Sequence, residues 1–240
     1  MRWREICWKA RSSTATPSTS ESPTATVATS SASPAAERDR SEGEAHHHRS
    51  AIAPIAERPH VIAHDYGGAV SLRAHLLHGA SYASLALVDV VALAPWGSEF
   101  FRLVAENADV FTRLPAHIHE AAVRAYVGSA SHRGLTPAQE DMLVTPWLSP
   151  EGQAAFYRQI AQADQRFTDE VEPRYGELDL PVAVLWGEDD TWIPVDRAHR
   201  LAAAIPGASL RLIPDAGHLI QLDAPVELAT ALHTWLTSVH

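Results

Sequence analysis

The chain has 240 residues, 46% hydrophobic and 20% charged, enough to bury the core of one globular domain with room for an inserted subdomain. A formal charge of −10 argues against nucleic acid or an anionic membrane surface as the main partner, because both attract clusters of Lys and Arg, and it favours a small-molecule substrate. With Cys7 as the sole cysteine there is no internal disulfide and no cysteine-based zinc site, which suits a reducing, cytoplasmic setting, and no apolar run reaches the roughly eighteen residues that a membrane span needs.

Residues 12–36 are Ser, Thr, Ala or Pro throughout except Glu21 and Val27, and the mixed-charge stretch ERDRSEGEAHHHRS follows. Such sequence cannot bury enough apolar surface to offset its ordering entropy, so residues 1–50 are expected to be a disordered, low-complexity segment. Those fifty residues hold seven basic and six acidic side chains, leaving twelve basic and twenty-three acidic beyond them, so the negative charge belongs to the folded part. His46, His47 and His48 lie in this polar tail without the surroundings that fix a metal site, and no metal is expected there. The opening MRWREICWKARSS lacks the continuous apolar core of a secretory signal.

Beyond residue 50 the pattern becomes strand–helix units. HVIAH (60–64) reads as a strand that stops at DYGG and feeds a helix over 69–77; LALVDVV (85–91) is a second strand, VAVLW (182–186) a third and SLRLI (209–213) a fourth. Strands alternating with helices predict a parallel sheet covered on both faces, an α/β fold. Between the second and third strands helical patterns fall at 99–111, 116–126, 137–143 and 152–170, which predicts a helical cap over 96–176 inserted into a core made of 51–95 and 177–240.

The chemistry concentrates at three strand ends. Ala63-His64-Asp65-Tyr66-Gly67-Gly68 has the form small-x-nucleophile-x-small-small, in which small residues let a strand and a helix meet at a sharp turn while the central side chain stays exposed. The central residue here is Asp, and on its own Asp65 reads equally well as a helix N-cap. Gly187-Glu188-Asp189-Asp190-Thr191-Trp192-Ile193-Pro194 follows the third strand and Ile213-Pro214-Asp215-Ala216-Gly217-His218 the fourth, both where open α/β sheets carry their sites.

Residues 58–240 resemble the α/β-hydrolase superfamily, and AHDYGGA is similar to the H-D-x-G-G elbow of its epoxide hydrolases and hydrolytic dehalogenases. The resemblance implies Asp65 as nucleophile, Asp190 as acid and His218 as base, with the Tyr66 backbone N–H in the oxyanion hole. Asp190, rather than Glu188 or Asp189, keeps the family's spacing of three from Gly187 and four before Pro194. An Asp nucleophile implies a covalent ester formed at an epoxide carbon, or at a carbon–halogen bond, and no cofactor. Epoxide hydrolases use cap tyrosines as donors to the opening oxygen. Tyr157 is the first candidate, with Tyr126 and Tyr175 also in the cap region, while Trp96 and Trp147 are candidate indole donors to a halide.

The family's strands before the elbow, and the loop with the second oxyanion donor, find no counterpart in residues 1–50. The expectation is a truncated fold with an exposed sheet edge, prone to homodimerisation. A catalytically silent fragment therefore stands beside the hydrolase reading, with ester hydrolysis as a further alternative.

Overall fold

A computed structural model of the chain describes residues 58–239. The chain divides into Met1–Ala53 and Pro54–His240, and every described residue belongs to the second unit. The segment expected to be disordered thus lies outside the described residues.

Four strands, β1 (His60–Asp65), β2 (Ser84–Val90), β3 (Val182–Gly187) and β4 (Ser209–Ile213), form a parallel sheet in the order β1-β2-β3-β4. They match the expected runs to within a residue at each end. β2 and β3 lie inside the sheet and are buried along their whole length, which is why they read as continuous apolar runs rather than alternating ones. Leu85, Leu87, Val182, Val184 and Trp186 pack on one face with Leu72 and Leu201. Those two leucines come from helices α1 (Tyr66–His78) and α8 (Asp196–Ala204). Ala86, Val88, Ala183, Leu185 and Ile213 pack on the other face with Ile220, Leu228 and Ala231, from α9 (Ile220–Asp223) and α10 (Pro225–Ser238).

Between β2 and β3 the described residues form helices and no strand: α2 (Glu99–Glu106), α3 (Ala108–Phe111), α4 (Ala116–Gly128), α5 (Pro137–Val144), α6 (Pro150–Ala161) and α7 (Arg166–Asp169). They have a core of their own, built on Val104, Val123, Val144, Phe156, Tyr157 and Ile160. Two helices expected to be continuous are broken. Asn107, at φ −136° and ψ 32°, ends α2 with its side chain donating to Leu103 O, which splits 99–111. The stretch 152–170 splits between α6 and α7, where the Asp164 carboxylate accepts from Arg166 N, a local bond that competes with continued helix. No helix among the described residues is long and apolar enough to cross a membrane.

Candidate active site

The elbow forms where β1 meets α1. Asp65 has φ 51° and ψ −126°, a left-handed backbone that a non-glycine residue adopts at a cost of about 1–3 kcal/mol. Asp65 stands at the N-cap position of α1, but its side chain makes no capping hydrogen bond there. The turn is tight enough that a Cβ on Gly68 would run into the Val90 side chain, which explains a glycine there.

Asp190 and His218 come from the loops after β3 and β4. The loops touch so closely that a Cβ on Gly187 would collide with the Ala216 and Gly217 carbonyls. Asp190 Oδ1 accepts from Trp192 N (2.8 Å) and Ile193 N (2.9 Å), which turns Oδ2 toward the histidine. His218 Nδ1 donates to Asp190 Oδ2 at 3.0 Å, and its other nitrogen, Nε2, faces Asp65 Oδ1 at 3.8 Å. That distance is an electrostatic approach, too long for a hydrogen bond. Nε2 is buried without a hydrogen-bond partner, and the imidazole thus stands between two carboxylates with its free edge toward Asp65. Three residues far apart in the chain converge as the strand-end positions implied.

The environment sets the charges. Burial pushes the Asp65 carboxyl above its ordinary range, against the opposing pull of His218 and His64. Burial disfavours charge on His218 as well, but the Asp190 hydrogen bond and the Asp65 and Asp190 charges outweigh it and raise the imidazole. His64 is lowered by burial and by His218, and its Nε2 donates to the His218 carbonyl at 2.9 Å.

The aromatic candidates separate clearly. Tyr126 approaches the site: its hydroxyl is pushed up by burial and then by the Asp65 and Tyr66 charges, and its ring stacks on Trp192 at 4.3 Å. Tyr66 lies beside Asp65, its hydroxyl likewise raised by burial and by the Asp65 charge. Its backbone N–H pulls the Asp65 carboxyl down, against the larger upward push of burial.

Tyr157, the first candidate from sequence, is a correction. It is fully buried in the helical core, and His119, which donates Nε2–H to Trp147 O, leaves Nδ1 to accept the Tyr157 hydroxyl proton at 3.0 Å. That proton is committed away from Asp65. Tyr175 is similarly spent on Ala92 O, and Trp96 packs edge-on to Tyr66 but gives its indole N–H to Thr168 Oγ1.

Sequence reasoning missed Asp89, a buried carboxyl at the end of β2 whose Oδ1 accepts from Gly187 N at 2.8 Å, although a charged residue inside the apolar run LVDVV was a visible signal. It also passed over Trp192, two residues after Asp190. Among the described residues, one grouping could hold a metal, the exposed His132, Asp189 and Asp215, whose ligand atoms lie within 4.8 Å of one another. None of the three is Asp65, Asp190 or His218, although Asp189 adjoins Asp190 in the chain.

The fold and this strand-end constellation define an α/β-hydrolase. The model of the alpha/beta hydrolase family matches residues 17–231, and the chain belongs to that family. It is 30% identical over 91 residues to a 2-hydroxy-6-oxononadienedioate/2-hydroxy-6-oxononatrienedioate hydrolase of Klebsiella pneumoniae, covering 38% of this chain and 32% of the relative. It is 40% identical over 54 residues to a 2-hydroxy-6-oxo-6-phenylhexa-2,4-dienoate hydrolase of Burkholderia cepacia, covering 22% and 19%. An α/β-hydrolase-fold protein from Burkholderia ambifaria superposes with a TM-score of 0.71 at 50% identity, covering 73% of this chain and 65% of that one. The matches thus span a third or less of these two curated relatives and just under two thirds of the solved structure. The curated relatives are named for dienoate substrates, a different hydrolase class from the epoxide and halide enzymes that the elbow resembles.

Proposed function

We propose that the chain carries the reacting residues of a hydrolase that works through a covalent ester on Asp65, with an epoxide as substrate and an alkyl halide as the nearest variant. The observation that carries the reading is the Asp65 carboxylate itself. It is held at a strained turn, spent on no helix cap, and faces the partnerless Nε2 of His218 at 3.8 Å.

In the first step an Asp65 oxygen forms a bond to an epoxide carbon, the carbon–oxygen bond breaks, and the ring oxygen takes a proton from Tyr126. In the second, His218 removes a proton from water, whose oxygen bonds the ester carbonyl carbon while the Tyr66 N–H supports the oxyanion; the acyl carbon–oxygen bond then breaks, the departing product oxygen takes the proton from His218, and Tyr126 regains its proton from solvent. The electrostatics favour this order. The Asp65 charge is one of the causes that raise the His218 imidazole, and esterification removes that charge, which favours the neutral imidazole at the step that needs a base.

Hydrolysis of a carbon–carbon bond in a dienoate is the second reading, favoured by the names of the matched relatives. There His218 would activate water against a ketone, without an ester on Asp65.

The two readings separate in His218→Gln. With a terminal epoxide, intact-protein mass spectrometry is expected to detect an adduct of enzyme plus substrate that maps to the peptide containing Asp65, because alkylation survives while water attack slows. No adduct with any epoxide or halide, together with turnover of a dienoate by the parent protein, contradicts the ester and favours carbon–carbon hydrolysis. Neither adduct nor turnover marks the chain as catalytically silent.

A further inference from the structure

The face of the His218 ring is as closely managed as its edge. Trp192 stacks on the imidazole with centroids 5.0 Å apart and planes at 26°, and Tyr126 stacks on the indole at 4.3 Å and 30°. His64 tilts against the imidazole at 4.9 Å and holds its backbone carbonyl. Four rings from four parts of the chain are therefore in successive contact: His64 from the elbow, His218 from the loop after β4, Trp192 from the loop after β3, and Tyr126 from α4.

Trp192 is fixed at both ends. Its backbone N–H donates to Asp190 Oδ1 at 2.8 Å, and its indole N–H donates to Ser129 Oγ at 3.0 Å. Ser129 Oγ in turn donates to Tyr126 O at 2.7 Å. The indole is thus tied to the acid at one end and to the terminus of α4 at the other.

A hydrogen bond to Asp190 restrains the imidazole along one direction only and leaves it free to swing about that bond. An aromatic wall against the ring face removes that freedom, and its π-electrons favour a cation over it. We propose that Trp192 is a positioning residue for His218: its indole clamps the imidazole in the plane that aims Nε2 at Asp65, and transmits the seating of Tyr126 and α4 to the base. This rests on the reading of Asp65 and His218 as the reacting pair. The ionisable groups facing His218 are Asp190, Asp65, His64 and, at the end of β2, Asp89, so a change at Trp192 leaves every charged neighbour in place.

The test uses the full chain with Trp192→Leu, which keeps the site apolar but loses the π face, and Trp192→Phe, which keeps a smaller one. The ring signals of His218, assigned by their loss in His218→Gln, are followed by NMR in histidine-labelled protein. Stacking predicts upfield-shifted His218 ring protons in the parent, a reduced shift in Trp192→Phe and none in Trp192→Leu. It also predicts that the His218 titration moves down by about half a unit in Trp192→Leu. In single-turnover kinetics Trp192→Leu is expected to slow ester hydrolysis roughly tenfold while alkylation changes less than about twofold, with Trp192→Phe recovering most of the loss.

Unchanged ring signals and titration in Trp192→Leu overturn the proposal, as does equal slowing of both steps, the mark of a general packing defect. NMR changes as predicted in a protein that forms no ester support the clamp and overturn the Asp65 mechanism instead.

Discussion

The elbow and the acid–histidine pair are built to opposite specifications. Asp190 and His218 come from the loops after β3 and β4 and are buried, with side-chain exposures of 0% and 2%, whereas Asp65, at the end of β1, keeps 35% of its side chain exposed. A hydrogen-bonded charge pair gains from exclusion of water, because a low dielectric strengthens it. A nucleophile must be reached by substrate. The same contrast runs through the backbone: Asp190 collects two backbone N–H bonds that fix it, while Asp65 holds a strained turn without a capping bond. On the proposed reading, order lies with the base and accessibility with the carboxylate that would attack.

The comparison is broken most severely at its buried end. Asp190→Asn is nearly isosteric but cannot orient and balance the imidazole as a carboxylate does, and is expected to lower kcat by about 10² to 10⁴. It is also expected to destabilise the fold by about 1–3 kcal/mol, since one of its amide faces now meets N–H groups or the imidazole unfavourably. Asp65→Asn is expected to be at least as damaging to turnover but not to stability. The folded-state pKa of Asp65 is raised, so its stabilising contribution is present below the unfolded value and lost as pH rises, and removing the charge should leave the melting temperature at neutral pH unchanged or higher. Kinetics and thermal melts of both variants check the contrast.

A smaller effect distinguishes the two tyrosines. Tyr126→Phe should lower the rate of alkylation about tenfold by removing the donor to the leaving oxygen. Tyr157→Phe should leave that rate within about twofold and cost about 1 kcal/mol of stability, because its hydroxyl serves His119 in the helical core. Pre-steady-state alkylation rates and urea melts read the two apart.

An effect on stability alone concerns Asp89, pushed by burial up to about 8, whose Oδ2 has no hydrogen-bond partner. A folded pKa raised this far means stability that is full below the unfolded pKa and drains away as pH rises toward about 8. Asp89→Asn keeps the acceptor for Gly187 N and cannot ionise. Its stability relative to the parent should therefore climb with pH and level off above about 8, as urea melts across that range would detect.

Much of this was legible in the chain because it rests on local signals. The buried strands β2 and β3 are apolar but for Ser84 and Asp89, and the elbow, acid loop and histidine loop each carry a turn signature that says where a strand ends. What escaped depends on packing between distant segments. Tyr157 and Tyr126 both sit on helical patterns rich in aromatics, and only the partner His119, 38 residues away, reveals that Tyr157 is spent. The clamp by Trp192 was hidden for the same reason, since nothing in GEDDTWIP says that its indole faces a histidine 26 residues later and a tyrosine 66 residues earlier. The breaks at Asn107 and Asp164 turn on side-chain bonds to nearby backbone, weak next to the hydrophobic periodicity that runs across them.

The central claim is that Asp65 forms the ester, and isotope transfer tests it most directly. In a single turnover of an epoxide with excess enzyme in oxygen-18 water, the account predicts product carrying unlabelled oxygen from the enzyme, and label in the carboxylate of the peptide containing Asp65. Solvent label in the first-turnover product, with none on Asp65, would contradict it.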